Sequence, residues 1–327
     1  MTNNLAVQEW LDTIRTEYLD GFISEGGASV KFIVSQRPDL TPLLTTRLTE
    51  VAAEQRYLVV RVDAGETRVH MFQDFFYRIA EQIDWRLLAR EVVLGQAGKL
   101  GYRTDAVNLE ADTSVLKALG DASGLSESFI LQDLRPLIEN TVFRNAGMSR
   151  DFRAAMTHLC LAEMGAGGQS RDETPLLEWL TGANRRVGSV RRYGIYNSIA
   201  RTNARHFLES LLYWIRFVGY PGACILLDDN RVTLRRNPRD GLRFYTRSAV
   251  MDHYELLREL IDGTDRLEGL LLVVLNGEDF LDDDIRGKGF SIYQALMSRI
   301  ADEVRSRSQA NPLATLVRLS DGPFAEN

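Results

Sequence analysis

Five short apolar, β-branched runs constrain this chain more than any other feature: "VKFIV" at 30–34, "YLVVRVDA" at 57–64, "ACILLDD" at 223–229, "LLLVVLNG" at 270–277 and "ATLVRLS" at 314–320. Their hydrophobicity is nearly continuous rather than alternating, which is the pattern of strands buried on both faces. Between them lie segments with helical spacing, such as "HMFQDFFYRIAEQI", where Phe72, Phe75, Phe76, Ile79 and Ile83 share one face. Strands that alternate with helices imply a parallel sheet covered on both sides. The expectation is an α/β fold with a five-stranded, mainly parallel sheet.

The connection from the second run to the third is long. Residues 65–222 read almost wholly as helix, in stretches such as "LSESFILQDLRPLIENTVFRNAG" and "NSIARTNARHFLESLLYWIRFVGY". A parallel crossover needs only a dozen or so residues. The excess predicts a helical insertion at 91–220 inside a single domain covering 1–327.

Composition excludes several classes. A chain of 327 residues with 45% hydrophobic and 26% charged residues is ordinary for a soluble protein. No run approaches 18 apolar residues, and "MTNNLAVQEWLDTIRTEYLDG" reads as an amphipathic helix rather than a signal peptide. A cytoplasmic protein without membrane contact is expected. Cys160 and Cys224 sit in apolar surroundings without metal-ligand spacing, which predicts buried thiols. His70, His158, His206 and His253 are dispersed and form no zinc motif, and no G-x-S-x-G nucleophile element is present. The run Asp282–Asp283–Asp284 reads as a capping loop rather than a Ca²⁺ site.

A net charge of −6 argues against an autonomous, strongly basic nucleic-acid binder. Local basic groups remain. "RRVGSVRRYG" contains Arg185, Arg186, Arg191 and Arg192, and "RVTLRRNPRDGLRFYTR" contains Arg235 and Arg236 among others. Interleaved with Tyr193, Phe244 and Tyr245, these arginines suit contact with DNA or with an acidic partner; solvated loops are an equally good reading.

The turn after the first strand stands where a phosphate-binding loop would sit. Laid on G-x-x-x-x-G-K-[ST], residues 35–42 read S-Q-R-P-D-L-T-P, so Ser35, Leu40, Thr41 and Pro42 occupy the four defining positions and none matches. Leu40 brings a side chain where close backbone approach is wanted. Thr41 carries no charge, and Pro42 has neither hydroxyl nor N–H, although it suits the first turn of a helix. The expectation is a degenerate nucleotide loop, with a catalytically silent scaffold as the first reading. An ATPase that uses Lys31 or Arg37 as a replacement cation is the alternative, and a stand-alone DNA-binding module a third.

The third run ends in Asp228–Asp229, which resembles a Walker B strand, whose first acid orients Mg²⁺ and whose second residue polarises the attacking water. The fourth run ends in Asn276–Gly277, a sensor position in many AAA+ ATPases and equally a simple turn. Arg286 and Arg299, in "RGKGFSIYQALMSRI", are candidate interface arginines or solvent-facing helix residues.

Taken together, these stretches resemble the ATP-binding proteins of bacteriophage-exclusion (BREX) defence systems, an AAA+-like family. The likeness begins at "GFISEGGASVKFIVS", is best from "LLEWLTG" through "RRYGIYNSIARTNARHFLESLLYWIRFVGYPGACILLDD", and continues through "LLLVVLNGEDFLDDDIRGKGFSIYQALMSRI", roughly residues 21 to 320. The resemblance implies a P-loop NTPase sheet of the AAA+/ASCE kind. It makes Asp228 the Mg²⁺ acid, Asp229 the water-polarising acid, Asn276 the sensor and Arg299 an interface arginine. The departures are the loop "SQRPDLTP", Asp229 followed by Asn230 where the family ends its acidic pair in Glu, and an end at Asn327 that leaves no room for a C-terminal lid. With these departures, the resemblance implies vestigial site residues, no cofactor in preference to Mg-ATP, and a structural or regulatory subunit. Its expected partners are other defence proteins, an active ATPase paralogue among them, in a homo- or hetero-oligomer.

Overall fold

The computed structural model describes residues 5–35, 37, 39–105, 107, 113–165, 172–301 and 311–320. Gln36 and Pro38 of the altered loop therefore lie outside the described residues. The chain divides into two compact units, one formed by 1–79 with 220–327 and the other by Ala80–Gly219.

The first unit holds a six-stranded sheet: β1 Leu5–Ala6, β2 Ser29–Ser35, β3 Leu58–Asp63, β4 Ala223–Asp228, β5 Leu270–Gly277 and β6 Leu316–Ser320. Its order is β1-β6-β2-β5-β4-β3 and every pairing is parallel. The five apolar runs are all strands, and the count of five is corrected to six by β1. This two-residue strand pairs Leu5 with Leu319 and Ala6 with Ser320. Two residues at the head of a helical pattern give no periodicity to read, so only the partner strand reveals it.

Helices of this unit are α1 Val7–Thr13, α2 Leu40–Glu54, α3 Phe72–Ala80, α10 Arg247–Asp262 and α11 Gln294–Ala301; the helices between α3 and α10 belong to the second unit. Leu40, Leu44, Leu48 and Ala52 recur at helical spacing on α2 and are buried in one cluster with Ile33, Cys224, Leu226, Leu271, Val273 and Leu275 of the strands. Because successive strand residues point to opposite faces, Leu227, Leu272 and Val274 turn to the other side of the sheet, where they are buried too. Burial on both faces is the reason the runs are continuously apolar. α10 links the end of β4 to the start of its parallel neighbour β5, so it must run antiparallel to the strands. Gly222, at the entry to β4, is required by close approach: a Cβ there would lie 2.0 Å from the carbonyl oxygen of Gly269.

The second unit is helical: α4 Trp85–Lys99, α5 Val115–Ser123, α6 Glu127–Ile138, α7 Arg150–Glu163, α8 Thr174–Thr181 and α9 Ala204–Val218. Its core gathers Trp85, Phe152, Trp179 and Phe207, whose rings meet edge-on or tilted at 5.5–6.3 Å. Ser114 and Ser126 accept bonds from the N–H groups of Lys117 and Phe129 and so cap α5 and α6. Cys160 and Cys224 are buried free thiols, and burial pushes the Cys224 thiol up to about 12. Among the described residues no helix is long and apolar enough to cross a membrane.

Candidate functional site

In an open parallel sheet, ligands bind outside the carboxyl ends of the strands. Here β3 and β4 deliver Asp63 and Asp228 to that edge side by side, since the two residues are register partners. Strand spacing puts their backbones about 4.8 Å apart. Asp63 accepts the Gly65 N–H at 2.6 Å. Asp228 Oδ1 accepts both the backbone N–H of Asn230, at 3.1 Å, and its Nδ2, at 2.7 Å. Nδ2 of Asn230 also reaches Thr41 Oγ1 at 3.4 Å. Burial, with added repulsion from Asp63 and Asp229, raises the Asp228 carboxyl above its ordinary range.

Asp229 is one residue further and therefore faces the opposite side of the sheet. There it is 1% exposed and meets the fully buried His253 of α10, with Nε2 to Oδ2 at 2.6 Å. Nδ1 of His253 lies 3.3 Å from the carbonyl oxygen of Val69. A carbonyl only accepts, so Nδ1 carries a hydrogen. The Asp229 contact then needs one more proton, held on the ring or on the carboxyl. Asn276 belongs to the same face, buried at 2%, and donates Nδ2 to Val274 O of its own strand at 3.0 Å. One oxygen of each, Asp229 Oδ1 and Asn276 Oδ1, is buried without a hydrogen-bond partner among the described residues. Asp229 and Asn276 are thus brought to one face, and Asp228 to the other.

The described residues of the altered loop are packed or paired. Leu40 is 2% exposed and belongs to the core, Thr41 is buried against Asn230, and Pro42 lies in the first turn of α2. Ser35 Oγ donates to Arg37 O at 2.7 Å and closes the end of β2 onto the turn. Arg37 binds Asp39 through Nε at 2.9 Å and holds that carboxyl below its usual range. Asp39 sets a negative charge at the N-terminus of α2, the position in which a helix best receives a phosphate. Lys31 points away from this edge: Nζ donates to Leu313 O at 2.5 Å and Ala314 O at 3.2 Å and lies 4.4 Å from the centre of the Tyr18 ring.

Arg299 stands at the other end of α10, paired with Asp262 through Nε at 2.7 Å and Nη2 at 2.9 Å. The nine-position step along the helix from His253 to Asp262 sets it about 13 Å from the carboxyl edge. Arg235 pairs with Asp282 and Asp284 of the acidic run, while Arg236 is exposed. Arg185, Arg186, Arg191 and Arg192 are exposed residues of the second unit. Lys288, beside Arg286, is buried: Nζ donates to Leu234 O at 2.6 Å and Tyr245 O at 2.5 Å and sits 3.9 Å from the Phe244 ring centre. It ties the loop after β4 to the loop after β5, and burial lowers its pKa.

Two members of this edge escape a reading by motif. Asp63 closes its apolar run as Asp228 closes another, and that parallel ending is the available signal. His253 lies on the buried stripe of α10 with Val250, Tyr254 and Leu257, at the i, i+3, i+4, i+7 spacing. A histidine on such a stripe must find a polar partner.

A parallel α/β sheet flanked by helices, with acids at its carboxyl edge, is an architecture used by nucleotide-binding proteins among others. Comparison with families of known proteins matches residues 17–325 to the BREX system ATP-binding protein BrxC/D family. The chain belongs to that family, and membership ties it to a phage-defence system. The same comparison made with curated proteins and with solved structures returns no match.

Proposed function

We propose that this chain is a non-catalytic member of its family, a structural or regulatory subunit of an antiphage assembly. One observation carries the reading: Leu40, at the position of the second loop glycine, is a buried core residue, so packing fixes the chain where a phosphate loop needs the conformational freedom of glycine. The neighbouring groups agree with it. Asp39, paired with Arg37, occupies the N-terminus of α2 where a phosphate would be received, Thr41 is engaged by Asn230, and Asp229 is bonded to the buried His253. An acid committed to a buried imidazole is not available to polarise an attacking water.

A subunit of this kind contributes surface rather than chemistry. Heterologous contacts let one copy complete another's site, so an active ATPase paralogue in a mixed oligomer is the partner that fits. The ATP binding for which the family is named supplies the test. Purified chain is titrated with Mg²⁺-ATP while thermal unfolding and phosphate release are followed. The proposal expects no saturable shift, and phosphate release equal to that of Asp228→Asn. A ligand at about 100 times its dissociation constant stabilises a fold by roughly 2.7 kcal/mol. A shift of that size, abolished in Asp228→Asn, overturns the reading and restores a nucleotide site.

A further inference from the structure

The second unit contains a cavity of about 470 Å³ between the N-terminal turns of α7 and α9, within the usual range for ligand pockets. Its mouth carries Tyr196, 58% exposed, with the Arg150 guanidinium 5.6 Å from the ring centre. Two carboxylates stand in its wall. Asp151 accepts the N–H of Asn197 at 3.1 Å and its Nδ2 at 2.8 Å, and Glu209 is held by Arg205 at 3.1 Å and His206 at 3.0 Å. Ser149 Oγ, also in the wall, is buried without a hydrogen-bond partner among the described residues.

The segment leading into this cavity is basic. From Trp179 to Leu208 the sequence has no Asp or Glu and contains Arg185, Arg186, Arg191, Arg192, Arg201 and Arg205, in a chain whose net charge is −6. Arg192 is committed to Asp172 O at 3.2 Å and to the Tyr193 ring at 4.8 Å. Arg186 and Arg191 are exposed and make no side-chain hydrogen bond or ion pair among the described residues. Tyr196 follows Arg191 by five positions, so their Cα atoms lie at most about 17 Å apart.

We infer that this cavity receives an unstacked base of a single-stranded nucleic acid, with Tyr196 as its stacking platform and Arg186 and Arg191 on the neighbouring phosphates. An aromatic face accepts any base. The carboxylates keep lone pairs that can accept from exocyclic amino groups. Phosphates are met outside the cavity, by arginine. A base inside a duplex cannot reach a recess of this kind. This inference stands apart from the nucleotide loop of the first unit, and either can fail without the other.

The test is fluorescence anisotropy of a labelled single-stranded oligonucleotide with the full chain, across a salt series. Tyr196→Ala is expected to weaken binding by at least about fivefold, while Tyr196→Phe, which keeps the stacking face, stays within about twofold. The double variant Arg186→Ala with Arg191→Ala is expected to flatten the salt slope by about 1.4, at roughly 0.7 per phosphate contact. Thermal melts of the variants establish that each is folded. Equal affinity for a duplex of the same sequence, unchanged binding by folded Tyr196→Ala, or displacement by a mononucleotide at the strand's own concentration would each overturn the assignment.

Discussion

Asp228 and Asp229 are neighbours on one strand, yet they live in opposite surroundings. Asp228 lies on the α2 face beside Asp63, tethered by Asn230 and raised in pKa by burial and like charge. Asp229 lies on the α10 face, sealed from water and bonded to a buried imidazole. The difference teaches how a strand that ends in two acids distributes them: the two-residue repeat of the pleat sends consecutive side chains to opposite layers. Whether the pair acts as one site is then decided by what each layer offers. The α2 layer offers a threonine and a helix N-terminus guarded by Asp39. The α10 layer offers a histidine.

Five variants break or sharpen this contrast. The largest effect is expected on the α10 face, where His253→Ala strands a buried carboxylate and costs about 3–5 kcal/mol in urea denaturation. The double variant His253→Leu with Asp229→Leu, set against its own two single variants, is expected to recover much of that loss, because removing both partners leaves no orphaned polar group; strict additivity in this cycle would refute the coupling. Next is Leu40→Ala on the α2 face, expected to cost about 2–5 kcal/mol through the cavity it leaves. A negligible change would mean that Leu40 is not part of the core and that the loop has room for a ligand.

Asp228→Asn is expected to act in the opposite direction, raising stability by less than Leu40→Ala lowers it. The folded-state pKa of Asp228 is raised, so the folded protein binds this proton more tightly than the unfolded chain does. Stability from this group is present at low pH and is lost as pH rises through the folded pKa. The advantage of the asparagine variant should therefore appear at pH 7 and vanish below the unfolded value of about 3.9. A variant less stable than the parent at pH 7 would remove the electrostatic account. Smallest is Arg299→Ala, which breaks a partly exposed pair with Asp262 and is expected to cost no more than about 1 kcal/mol. A larger loss, or altered oligomerisation on size-exclusion chromatography, would assign Arg299 more than a surface pairing.

Much of the sheet was legible because buried parallel strands announce themselves as unbroken apolar runs, and the five runs coincide with β2 to β6 within a residue or two. β1 was not, since two residues carry no period. At the edge, Asp228, Asp229, Asn276 and the altered loop could be found by their order along the chain. Asp63, His253 and the tether from Asn230 to Thr41 join residues 24 to 189 positions apart, and no local pattern relates them.

By itself, then, the sequence determined that this protein has a parallel α/β sheet, that its phosphate-loop positions are occupied by Ser, Leu, Thr and Pro, and that one segment of the helical unit is basic. These properties come from side-chain chemistry and short-range periodicity, which any stretch of chain carries within itself. The tertiary structure alone decided that Leu40 is core, that Asp229 answers to His253 and not to Asp228, and that Tyr196 and Arg150 meet at the mouth of a cavity. Each depends on which surfaces pack together, and packing is set by the shapes of distant segments rather than by the residues beside them.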